Sequence, residues 1–84
     1  MTIQEATDVV QAYFFARCPN SPFFRFVVNN AVKDKQGNIL VWCSHACYSS
    51  EQHHRVAVDG KTGEVMGVQK LESAKDWESK GEGA

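Results

Sequence analysis

The stretch that most constrains this chain is Val56–Val68, VAVDGKTGEVMGV. Two short apolar runs flank Asp59-Gly60-Lys61-Thr62-Gly63, a loop of turn-forming residues, and the pattern predicts a β-hairpin. Asp59 is expected to cap the turn through its own backbone. Gly60-Lys61-Thr62-Gly63 has a superficial likeness to part of a phosphate loop, but the Walker spacing is missing and no helix follows, so the stretch reads as a turn.

The rest of the chain supplies what this hairpin can pack against. Thr2-Ile3-Gln4-Glu5 has the form of a capping box, and Ile3, Ala6, Val9, Val10, Tyr13 and Phe14 recur at helical spacing. A helix is predicted over about Ile3–Arg17, with Gln4, Asp8, Gln11 and Phe15 on its other faces. Pro19 and Pro22 end it. Phe23–Asp34 and Ile39–Tyr48 read as strands joined by a turn at Lys35–Asn38, with Gly37 free to take a left-handed conformation. His53–Asp59 and Glu64–Leu71 follow as the third and fourth strands. Short turns favour antiparallel neighbours, so the predicted fold is α+β: one N-terminal helix packed on a four-stranded antiparallel β-meander. The domain spans residues 1–72, and residues 73–84, polar apart from Trp77, read as a flexible tail.

Eighty-four residues make one domain. Such a chain buries roughly 60–65% of its unfolded surface, which leaves little depth for an enzyme cleft behind a full core. A binding or inhibitory module is expected rather than an enzyme. The net charge of −1 carries no basic excess for phosphates, which argues against nucleic acid as the main partner. No apolar run is long enough to cross a membrane. The first residues lack the basic start and cleavage site of a signal peptide, so the expected location is cytoplasmic. Three cysteines, Cys18, Cys43 and Cys47, do not close a disulfide framework, and all three are expected as free thiols.

Alternation along the strands sorts residues between faces. Val56, Val58, Val65 and Gly67 are expected on the helix side. Pairing Tyr48 with His53 would set Cys47 opposite His54, and would put Cys43, His45, Cys47 and His54 on that side too. The open face would carry Leu40, Trp42, Ser44, Ala46 and Tyr48, joined by Phe24, Phe26 and Val28. That is a large apolar surface with no helix to cover it. A bulge or twist that buries Trp42, a homodimer or protein-partner interface, and a small-molecule pocket would each account for it. The interface reading makes Phe24, Phe26, Trp42 and Tyr48 the partner-binding residues.

Cys43-Ser44-His45-Ala46-Cys47 with His53-His54 raises a metal or thiol alternative. On a regular strand Cys43 and Cys47 lie about 13–14 Å apart, too far to share one tetrahedral zinc. His45, Cys47 and His54 could converge, but they make only three ligands. Cys47 with His54 could pair as nucleophile and base, although no orienting third residue is evident. No cofactor is expected.

The capping stretch Thr2-Ile3-Gln4-Glu5-Ala6 and the closing hairpin Val58–Val65, of the form V-D-x-x-T-G-E-V, resemble the PepSY-type domain. The helix-plus-four-strand plan is also similar to a family of small bacterial toxin-immunity proteins. The PepSY resemblance implies a secreted or membrane-attached module that restrains a peptidase. Neither resemblance brings a catalytic residue to a position of this chain.

Overall fold

A computed structural model describes residues 1–18, 23–47 and 50–73. Helix α1 spans Ile3–Ala16 and is followed by strands β1 (Phe24–Lys33), β2 (Ile39–Cys47), β3 (Gln52–Val58) and β4 (Val65–Leu71). The strands form one antiparallel sheet in the order β1-β2-β3-β4, the expected meander.

The capping box starts α1. The Thr2 hydroxyl accepts from the Glu5 N–H at 3.1 Å, and the Thr2 N–H donates to the Glu5 carboxylate at 2.7 Å. These bonds hold the Glu5 carboxyl below its ordinary range, with the Thr2 backbone bond the largest cause. At the other end the Arg17 guanidinium donates to the Tyr13 carbonyl and stacks over the Tyr13 ring.

Both described hairpin turns are built by an aspartate. Asp34 Oδ1 accepts from the Gln36 and Asn38 N–H groups, and Asp59 Oδ1 accepts from those of Lys61 and Thr62. Gly37 and Gly63 take the positive φ each turn requires. Gly60 has a different reason to be glycine: a Cβ there would run into the Gly37 carbonyl, so the two turns pack backbone to backbone. The Gly60 N–H donates to the Asn38 side chain across the same contact.

Helix α1 packs on β1, β2 and β3. Ala6, Val10 and Phe14 meet Ile39, Val41 and Cys43 from β2 and Val56 and Val58 from β3, all buried. Seven of these eight have no exposed surface, Phe14 being the exception, and they form a thin but dry core.

Two bulges reset the faces. In β1 the register shifts between Val28 and Asn30, leaving Asn29 as the extra residue. In β4 it shifts between the partners of Ala57 and Val58, leaving Met66 unpaired. Gly67 therefore opposes Ala57 on the open face, not the helix face expected of it, and Val68 opposes Val56 on the helix side. Lys70 opposes His54 and so also lies on the helix side. The Gly67 position is open, with nothing near where a Cβ would sit.

Candidate functional site

The β1 register corrects the placement of the expected contact residues. Phe24 pairs with Cys47, Phe26 with His45 and Val28 with Cys43. Since Cys43 lies in the core beneath α1, Phe24, Phe26 and Val28 face the helix side and not the Trp42 side. Beyond the bulge, Asn30 and Val32 turn to the open face opposite Trp42 and Leu40. The apolar residues assigned to one surface are thus divided between two.

Trp42 does lie on the open face, opposite Asn30 and Arg55, but it is only 8% exposed. Its indole is interior and not an accessible anchor. The Nε1–H is buried with no hydrogen-bond partner among the described residues, an arrangement that costs about 1–3 kcal/mol. Tyr48 lies outside the described residues.

Phe24 and Phe26 instead belong to an aromatic edge beside α1. Their rings stack at 6.3 Å between centroids, and Phe15 meets Phe24 edge-on at 5.4 Å. Phe15 is 49% exposed and Val28 39% exposed, whereas Phe24 and Phe26 are half-buried against the core. Edge strand β1 thus carries a run of apolar side chains along its helix-side margin, with an exposed phenylalanine above it. Phe15 falls off the apolar stripe of the helix and so escapes the periodicity that marks its neighbours. A phenylalanine in that position was itself the available signal, since a solvated helix face has no use for one.

The cysteines and histidines also rearrange. Cys18, just past α1, is disulfide-bonded to Cys47 at the end of β2, with 5.7 Å between Cα atoms. Only Cys43 is a free thiol, and burial pushes its pKa up to about 12. The expectation of three free thiols is corrected, and with it the Cys47–His54 nucleophile. His54 pairs with Cys43 and not Cys47, a shift of four residues that keeps every side chain on its predicted face. The shift follows from the β2–β3 connection, because His45 already pairs with Gln52.

His45 and His54 do come together. Their rings stack at 5.1 Å, and Phe14 lies on His45 at 4.1 Å and beside His54 at 5.1 Å. Each Nδ1 is buried without a hydrogen-bond partner among the described residues. Desolvation lowers both pKa values, helped by charge repulsion from His53 at His45, and from His45, Lys70 and His53 at His54. Both shifts favour the neutral ring over the charged one. Among the described residues no group of three His, Cys, Asp or Glu side chains is gathered as a metal site.

His53 points the other way. The Asn29 amide donates to Ser44 Oγ at 2.8 Å, and Ser44 Oγ lies 2.7 Å from His53 Nδ1. Ser44 is 3% exposed, which keeps a substrate from its oxygen, so this serine–histidine pair ties the β1 bulge to β3. Beyond it, a hollow of about 590 Å³ is bordered by Gln52, His53, Lys70 and Leu71. Trp42 does not line it, so the hollow is not the pocket considered for the Trp42 face. No helix among the described residues is long and apolar enough to cross a membrane. No family model matches the chain, and neither a curated protein nor a solved structure matches it.

Proposed function

We propose that this chain is a small non-enzymatic protein-binding or inhibitory module. Its contact surface is the aromatic edge of β1: Phe24 and Phe26 with Phe15 and Val28. The observation that carries this reading is the exposed Phe15 resting on a ring stack at the margin of β1, the edge strand among the described residues. Aromatic side chains are enriched in protein contacts, and an edge strand offers backbone groups for pairing beside them. The partner is a protein or a second copy of the chain. The PepSY-type and immunity-protein resemblances point the same way, since both imply action by holding another protein. The cytoplasmic expectation rested on the missing signal-peptide pattern and led to the expectation of free thiols; the Cys18–Cys47 bond supports an oxidising compartment instead.

Site-specific photo-crosslinking in cells tests the surface whether the partner is foreign or a second copy. A photoreactive residue replaces Phe15 or Val28, with Lys61 on the far turn as the control. The proposal expects a discrete adduct from positions 15 and 28 and none from 61. No adduct from either edge position, or equal adducts from all three, would overturn it.

A further inference from the structure

Among the described residues β1 is an edge of the sheet, paired with β2 along one side. An edge of ten residues pairs with another strand unless charge, proline or irregularity blunts it. Between Arg25 and Lys33, β1 has no charge and no proline. Val27, Val28 and Val32 are all exposed, so apolar side chains stand bare on both of its faces. The bulge at Asn29 is its one irregularity.

The middle of the strand, Val27-Val28-Asn29-Asn30-Ala31-Val32, has the same chemistry read in either direction. A two-fold antiparallel pair sets a strand against its own reverse, so such a segment meets itself like for like. In a regular strand the match would fail. The centre of this segment lies between two residues, and positions mirrored about it would point to opposite faces. The bulge removes that mismatch. Asn30 lies opposite Trp42 on the open face, and the Asn29 amide reaches Ser44 on the same face. Outward from them, Val28 and Ala31 oppose Cys43 and Val41 and share the helix side. Val27 and Val32 oppose Ser44 and Leu40 and share the open face.

We propose that β1 pairs antiparallel with β1 of a second copy, about a two-fold axis between Asn29 and Asn30, joining two four-stranded sheets into one. Resting on the reading of the β1 edge as the contact surface, the pairing names its occupant. Asn29 then meets Asn30 at the axis, Val28 meets Ala31, and Val27 meets Val32. Lys33 falls opposite Phe26 on the helix side, an ammonium beside an aromatic ring. Arg25 falls opposite Asp34, an unlike charge just past the strand. A slip of one residue would cross the faces and set Arg25 against Lys33. A straight foreign strand lines this edge only by leaving one residue of β1 unmatched, as β2 does on the other side. A second copy carries the same bulge and leaves none.

Sedimentation velocity of the full chain with its disulfide intact tests the pairing, with circular dichroism checking the fold of each variant. Positions 27 and 32 of one chain lie roughly 15 Å apart along the strand, so charges placed there meet only between copies. Wild type should sediment at twice the chain mass. Val27→Lys combined with Val32→Lys should leave only monomer, Val27→Lys combined with Val32→Glu should restore the dimer, and Met66→Lys on β4 should keep it. A wild type that is monomeric across the concentration range overturns the proposal. So does a dimer that survives in the double-lysine variant, or a lysine–glutamate variant that dissociates like the double-lysine one. A monomer whose positions 15 and 28 crosslink to a foreign protein overturns the self-pairing and leaves the contact surface standing.

Discussion

Opening the Cys18–Cys47 bond should cost this domain a large share of its stability. The two cysteines are 29 residues apart in sequence. In the loop-closure description, a cross-link over that span removes about 12 cal/mol/K of entropy from the unfolded chain, or about 3.6 kcal/mol at 25 °C. A domain of 84 residues is stable by about 4–13 kcal/mol, so the loss is never minor. Unfolding entropy near 2.1 cal/mol/K per residue converts it to a fall in Tm of about 20 °C. The assay is urea unfolding followed by circular dichroism, with and without reductant, and on Cys18→Ser and Cys47→Ser. Reduced wild type and both variants should lose similar amounts, since all three release the same constraint. A loss below about 1 kcal/mol would refute the reasoning, because it would mean that the unfolded chain gains little freedom when the link is cut. Alkylation of three cysteines in oxidised, unfolded protein would refute the bond itself.

Further outcomes follow from the turns and the core. Gly60→Ala should destabilise clearly, since the new methyl meets the Gly37 carbonyl, whereas Gly67→Ala has open space and should be near neutral; urea midpoints compare them. The Cys43 thiol, pushed up to about 12 by burial, should resist alkylation at neutral pH until the domain unfolds, as mass spectrometry of labelled protein would read. Backbone hydrogen bonds from Lys61, then Thr62, lower the Asp59 pKa from its ordinary 3.8. A carboxyl depressed on folding stabilises above its unfolded value and stops doing so as pH falls through the folded value. The stability gap between wild type and Asp59→Asn should therefore hold at neutral pH and close in acid, as urea unfolding across pH would show.

Local rules were legible in the sequence where local bonds decide the structure. Thr2 and Glu5 start the helix as their spacing implies, and Asp59 and Gly63 close the hairpin as theirs does. Face assignments in β2 and β3 also follow, because strict alternation survives even a four-residue slip. What alternation cannot reveal is an extra residue. FRFVVNNAVK reads as one unbroken strand, yet Asn29 bulges to reach Ser44, and every residue before it changes face relative to the simple pattern. Met66 does the same in β4 and carries Gly67 across. The disulfide was hidden for another reason. Cys18 and Cys47 meet only because α1 folds back over the sheet, a long-range contact that an odd cysteine count conceals.

The division of the apolar surface, with Trp42 interior and the aromatic edge of β1 outside, carries the functional reading. Acrylamide quenching of the Trp77→Phe variant tests it most directly, because Trp42 is then the single indole. A shielded ring, with blue-shifted emission and weak quenching that rises only on unfolding, is the predicted result. Emission and quenching like those of a free indole in the folded protein would contradict it, and would return the contact surface to the Trp42 face.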